Sequence, residues 1–551
     1  MNKLREIFQK NPYLRHYLNI LFSIFRTMNL EKNLNIDNYY YSDLKSNSKK
    51  YKNLLIAGSV SLNPDTFTEY LISQGYYKSH KFYTLKCDSF MKACFNCKKY
   101  LYNSDLLEEN LYKHGPGYIC QVCEQRTTKY ANIFNSTELP LTNYLTFENE
   151  KDIASILKYN DEYNKIKNFK LNGINIGLHA YSATVRFYAS PFIENESYGL
   201  NILKNYFESA LKVFFSVSNL LKSVHFDLVI LNHGIYIPQG IIAELASQLN
   251  IKTLCFATGY RKNSFMVSFM KSYHFDFITR TDFENCLQNY SESKIKNYLL
   301  DRADGKQDWI LFHEKSTNID HKYLNYFDDT KNNIILFTNV LWDADVHFET
   351  CYFNSMIDWL VETLNHLVQS DNNNLIVRIH PGELKGFVKS RVKLYDQLKV
   401  HLNINVFERI QIIDSHENAN SYELAKYSNH IILYGSKLSI ELAGLGYKVL
   451  VGGPSWTLNK GITVDPVSKS DYFEKLDQIT ELSFHKNNSV DLTKALKFAH
   501  YVFFDRCIEL PFIEKNFGDP PIKILNKKIS SDDLSQFIEF VDSESRKSLL
   551  K

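Results

Sequence analysis

The run His430-Ile-Ile-Leu-Tyr434 leads into Gly435-Ser436-Lys437-Leu-Ser439-Ile-Glu441-Leu-Ala-Gly-Leu-Gly446, and then into Lys448-Val-Leu-Val451. A short apolar run, a Gly-Ser turn, an apolar segment at helical spacing and a second apolar run spell strand, turn, helix, strand. Continuous apolar strands separated by helices belong to parallel sheets covered on both faces. The same alternation extends outward. Asn333–Thr338, Leu375–His380 and Gln411–Ile413 read as strands, with a helix over Phe353–Gln369. Nearer the start, Asn53–Gly58, Lys81–Lys86, Phe226–Asn232, Ile251–Ala257 and Phe275–Arg280 read as strands. Helices are predicted over Thr66–Gln74, 200–223 and Pro238–Leu249. The fold class is therefore α/β: two Rossmann-like doubly wound domains facing a cleft.

The predicted layout has a helical segment over 1–50, a first domain over 51–300 and a connection over 301–330. A second domain follows over 331–490, and closing helices fill 491–551. A chain of 551 residues is long enough for several domains. With 44% hydrophobic, 23% charged and 14% aromatic residues it has globular composition, which excludes collagen-like and disordered classes. Its formal net charge of +3 offers no electrostatic footprint for a nucleic-acid partner. No apolar run reaches the roughly 18 residues of a spanning helix. Tyr17–Phe25, flanked by Arg15 and Arg26, reads as a helix docked on the protein, with peripheral membrane contact as the alternative. An odd number of cysteines, nine, fits reduced thiols and a cytoplasmic location.

Four of those cysteines form two pairs, Cys94-Phe-Asn-Cys97 and Cys120-Gln-Val-Cys123. Each C-x-x-C presents two thiolates to one tetrahedral ion, so the insertion at about 87–130 reads as a zinc knuckle within the first domain. Lys98, Lys99 and Lys113 are placed to offset the thiolate charge, and His114-Gly-Pro-Gly117 supplies the turn between the pairs. Four thiolates leave no open coordination position, so the ion is structural. An iron–sulfur cluster or two disulfides are the alternatives.

Ligands of doubly wound sheets sit at the carboxyl ends of the strands. There the second domain carries Asn339 and Asp343, then Arg378-Ile-His380-Pro381, then Gly435, Ser436, Lys437 and Glu441, and further on Lys460. Gly435 and Ser436 offer backbone N–H groups and a hydroxyl to a phosphate. His380 donates to a phosphate oxygen or protonates a leaving group, Glu441 binds ribose hydroxyls, and Lys460 adds positive charge. The first domain offers His233 directly after a strand as a candidate general base. His179 is the reserve base, and Arg186 pairs with an acidic acceptor or the donor phosphates.

These strings resemble a known family. Phe337-Thr-Asn-Val-Leu-Trp-Asp343, Arg378-Ile-His-Pro381 and Tyr434-Gly-Ser436 with Glu441-Leu-Ala-Gly-Leu-Gly446 resemble bacterial capsule polysaccharide biosynthesis proteins, the Kdo-transferase-like GT-B glycosyltransferases. The arrangement is more distantly similar to bacterial sialyltransferases and teichoic-acid glycerophosphate polymerases. The resemblance spans about 170–470. It implies a glycosyltransferase moving a sugar from a nucleotide-sugar donor to a capsule- or lipopolysaccharide-type glycan, or a lipid-linked glycan. It implies phosphate contacts for His380 and Ser436, the acceptor in the first domain, and no catalytic metal. The sequence departs from the sialyltransferase pattern in having no Asp-Asp-Gly or Glu-Asp-Gly segment, so the base stays His233 by position alone. Asp343-Ala-Asp345 is the place where a divalent ion would sit instead. Rival readings are a sugar-phosphate or glycerophosphate transferase, a sugar-nucleotide 2-epimerase, and a non-catalytic scaffold of a glycan assembly complex.

Overall fold

The computed structural model describes residues 52–549 apart from 59–63, 78, 262–263, 270–271, 307–320, 343–346, 348–351, 386–387, 482–490, 511–512, 516–521 and 525–533. The predicted N-terminal helix, Asp343 and Asp345 lie outside the described residues. The chain forms two compact units. One comprises 1–188, 192–276 and 508–551; the other comprises 189–191 and 277–507. The division thus falls at 276/277 rather than in the predicted 301–330 connection, and the end of the chain returns to the first unit.

The first unit is built on a seven-stranded sheet. Its strands are β1 (Lys52–Ile56), β2 (His80–Lys86), β3 (Thr137–Pro140), β4 (Leu228–Asn232), β5 (Lys252–Thr258) and β6 (Ser264–Phe269), with β12 (Cys507–Glu509) at one edge. The order is β12-β6-β5-β4-β1-β2-β3, and β1 to β5 run parallel while β6 is antiparallel to β5. All five side chains of β4 are buried, as a central strand with helices on both faces requires. The 25-residue helix Gly199–Ser223 packs on the helices Ile176–Tyr188 and Gln239–Gln248 and buries Leu203, Phe207, Leu211, Phe214 and Val217. Phe275–Arg280, predicted as a strand, lies instead in the helix Tyr273–Thr279. Its aromatic spacing suits either period, and Tyr273 and Phe277 are both buried from one helical face.

The second unit holds a five-stranded, wholly parallel sheet of order β11-β10-β7-β8-β9. Its strands are β7 (Asn332–Phe337), β8 (Asn373–Arg378), β9 (Ile410–Ile413), β10 (His430–Leu433) and β11 (Val449–Val451). Both sheets share one logic. The first parallel strand sits in the middle, the next two add on one side, and the fourth and fifth add on the other. The chain therefore reverses direction of growth between β1 and β4, and again between β7 and β10, which is where doubly wound sheets open a crevice. Among the described residues no helix is long and apolar enough to cross a membrane.

Candidate functional site

In the second unit the strand ends around β7 and β10 form a concave pocket that is partly open to solvent. Thr338, His380, Pro381, Ser436, Lys437 and Glu441 line it, joined by Arg302, Arg378, Ser421 and Tyr422. Arg302, Arg378 and Lys437 share its wall with the carboxylate of Glu441.

The geometry fixes the protonation state of His380. The Gly382 backbone N–H donates to Nδ1 at 3.0 Å, so the neutral ring carries its proton on Nε2. Burial, then Lys437, then Arg378 pull its pKa down to about 3. The neutral ring thus offers its Nε2–H as a hydrogen-bond donor to the pocket. The His380 N–H bonds the Thr338 hydroxyl at 3.1 Å, tying the ends of β7 and β8 together. Asn339 does the same for β7 and β10, its Nδ2 donating to the Gly435 carbonyl at 2.9 Å. Ser436 Oγ accepts from Leu438 N at 3.3 Å and opens the helix Leu438–Gly444.

Three expected ligand contacts have other occupations. Glu441, expected on ribose hydroxyls, is 1% exposed and fully engaged. Its Oε1 accepts from Arg302 Nε at 2.5 Å and its Oε2 from the Tyr422 hydroxyl at 2.6 Å. Burial of a carboxylate demands such partners, and these two consume it. Arg378 spends its terminal nitrogens on the carbonyls of Ile413, Asp414, Glu417 and Ala419. Lys460 is not among the pocket residues; its Nζ donates to the carbonyls of Ile278 and Leu458. Lys437 is the cation best placed for a ligand, half-buried and 3.9 Å from Glu441. Arg302 and Tyr422 escaped the sequence reading. Arg302 lies at the end of the helix Glu292–Ala303, over 130 positions before its partner (the hydrogen bond spans 139), and no local pattern announces that pairing.

In the first unit His233 follows β4 with a left-handed backbone, φ 64°, before Gly234 at 76°. A non-glycine residue in that region is held there by its surroundings. The Asn232 N–H is anchored on the buried Glu69 carboxylate at 2.8 Å. Burial, then Arg186, bring the His233 pKa down to about 4, so the ring is neutral. His179, the reserve base, is 1% exposed and sits between the Ile235 carbonyl and Glu244, 3.1 Å from Nε2. It is a structural histidine packed against Gly240, where an added Cβ would fall 2.3 Å from its ring.

The cysteine insertion folds as a turn, with Cys97 N donating to the Cys94 carbonyl, followed by the helix Tyr118–Ile133 that carries Cys120 and Cys123 in its first turns. Cys87, Cys94, Cys120 and Cys123 line one void of about 380 Å³, while the Cys97 thiol is hydrogen-bonded to that of Cys94. Yet among the described residues no group of three or more His, Cys, Asp or Glu is arranged to hold a metal ion, so the zinc reading gains no support from the geometry. Burial pushes Cys87, Cys94 and Cys120 upward, for Cys94 after the hydrogen bond to Cys97, and Cys120 reaches about 12, which favours the protonated form. Lys99 and Lys113, expected to offset thiolate charge, instead pair with Glu108 and Glu109.

No protein-family model matches the chain, and no curated protein matches it in sequence. Several solved structures are similar to it. KpsC of Thermosulfurimonas dismutans, a β-Kdo 2,4 transferase, matches with a TM-score of 0.34 and 14% identity over 57% of this chain and 87% of that one. The β-Kdo 2,7 transferase KpsC of the same organism matches with 0.29 and 14% over 60% and 89%. The UDP-GlcNAc 2-epimerase of Neisseria meningitidis bound to UDP-GlcNAc matches with 0.26 and 13% over 53% and 79%.

Proposed function

We propose that the chain is a glycosyltransferase that takes a sugar from a nucleotide-activated donor held by the second unit and passes it to a surface-glycan acceptor held by the first. The observation that carries this reading is the strand-end pocket that brings Lys437 and the Nε2 proton of His380 together. In such a transfer the bond between the anomeric carbon and the phosphate oxygen breaks, and the departing nucleotide takes the electron pair. Lys437 and the His380 Nε2–H supply fixed positive potential for that phosphate, the kind of preorganised stabilisation that is usually the largest catalytic contribution. Glu441 holds Arg302 beside them rather than touching the ligand. His233, uncharged at neutral pH, is the candidate acceptor for the proton of the attacking hydroxyl. With cationic side chains at the pocket, the transfer is proposed to need no catalytic metal.

A thermal-shift panel of CMP, UDP, GDP and CDP and their sugars, run with and without chelator, tests the reading. The cognate nucleotide at 100 times its dissociation constant adds about 2.7 kcal/mol of stability, and chelator leaves that gain and the transfer rate unchanged. Product analysis then separates a glycoside from an epimerised sugar nucleotide or a phosphodiester. No gain from any nucleotide overturns the assignment.

A further inference from the structure

The first unit contains a cation whose charge the fold does not use. Arg186 ends the helix Ile176–Tyr188 and is half-buried. Among the described residues it has no carboxylate partner. Of the five N–H donors of its guanidinium, one nitrogen alone is engaged, Nη1 with the Phe95 carbonyl at 3.4 Å. The rest of the group is held by stacking. It lies 3.8 Å from the ring centroid of Phe95 and 5.1 Å from that of Tyr236. Those rings are 5.6 Å apart, and Tyr236 stands 5.2 Å from His233.

Orphaned polar atoms gather at the same strand end. His233 Nδ1 is sealed from solvent with no hydrogen-bond partner, and so is the hydroxyl of Ser272, whose backbone abuts Gly234. The nearby carboxylate, Glu69, points its Oε1 at the Asn232 N–H. A half-buried cation with idle donors, beside neutral imidazoles, is costly unless something negative completes it.

We propose that Arg186 is the recognition point for an acidic group, a carboxylate or a phosphate ester, on the glycan acceptor, and that Phe95 is its positioning residue. This rests on the reading of the first unit as the acceptor side. Phe95 is carried between Cys94 and Cys97, so the cysteine insertion has a purpose beyond its own folding. Phe95 holds the guanidinium over its ring and leaves the remaining donors free. Planar, stacked arginine is suited to bidentate oxyanions, which a flexible ammonium is not.

Calorimetric titration of the full chain tests it with three oligosaccharides of equal length: one containing uronic acid, its carboxyl-reduced neutral counterpart, and a phosphorylated one. The wild type is expected to bind one acidic form at least about tenfold tighter than the neutral form, a charge-assisted contact being worth that much. The two acidic arms decide between carboxylate and phosphate. Arg186→Met abolishes the preference, Phe95→Ala reduces it, and Phe95→Trp retains it by keeping the stacking face. Should Arg186→Met fail to fold, Arg186→Lys serves, with an expected loss of most of the preference. Equal binding of acidic and neutral forms, or a preference that survives Arg186→Met or both Arg186→Lys and Phe95→Ala, overturns the inference. An Arg186-dependent preference without sugar transfer would instead sink the transferase reading and leave this one standing.

Discussion

At the scale of single residues, the second unit's pocket turns on the tautomer of His380. A backbone N–H aimed at Nδ1 leaves Nε2 as donor, and burial keeps the ring uncharged. The expected outcome of His380→Ala is a loss of about 10²–10³ in kcat, the cost of removing one preorganised donor. His380→Asn keeps an N–H of similar reach and is expected to recover part of that loss. A recovery of nothing by asparagine, with binding intact, would show that the ring acts as an acid or base after all. His380 was legible in the sequence because a histidine followed by proline at a strand end is a local pattern. Glu441 was equally legible as a residue, but its job was not. Arg302 and Tyr422 claim its two oxygens, and both reach it from distant elements.

At the scale of elements, Arg378 shows how the pocket wall is held. It ends β8 at 1% exposure, and its guanidinium gathers four carbonyls from 413–419, the segment between β9 and the helix Ser421–Lys426. That segment brings Ala419, Ser421 and Tyr422 to the pocket. Arg378→Met removes the donors and takes from the Glu417 and Ala419 carbonyls the partner the guanidinium supplied, while Ile413 and Asp414 keep backbone partners; each carbonyl left unpaired costs about 1–3 kcal/mol. The expected outcome is a stability loss of about 2–4 kcal/mol, read by urea denaturation, with weaker nucleotide binding as the loop loosens. Unchanged stability would mean that water replaces the guanidinium. The strands of the second sheet were readable because β7, β8, β10 and β11 each carry a continuous apolar run, and β9 is apolar but for Gln411. β3, β6 and β12 were not: Thr137–Pro140 and Cys507–Glu509 are too short to show a period, and in Ser264–Phe269 serines at 264 and 268 bound an apolar run of only three residues.

At the scale of the whole molecule, the two units share a sheet order and also a vulnerability to acid. Two doubly wound parallel sheets followed from periodicity, but their strand order did not, and the return of 508–551 to the first unit rests on packing between distant residues, such as Phe540 on Phe269 and Asp542 on Lys252. The vulnerability comes from histidines buried uncharged in both units. Burial depresses His80 and His233 in the first unit and His430 in the second to about 4, and His380 to about 3. An unfolded histidine titrates near 6.5. Between 6.5 and these folded values the unfolded chain binds more protons than the native one, so stability rises with pH there. The contribution is full above about pH 6.5 and is lost as pH falls toward 4, at up to about 1.4 kcal/mol per pH unit for a fully buried histidine and less for the partly solvated His80. Glu383 and Asp465 act in the opposite sense, since burial raises both, but they do so nearer the ordinary carboxylate range. The informative window is therefore pH 7 to 5, where melting temperature is expected to fall steadily and in both units. His430→Asn and His80→Asn should each flatten that slope. A melting temperature constant from pH 7 to 5 would require that these rings gain protons in the folded state, and so that they reach water or a carboxylate.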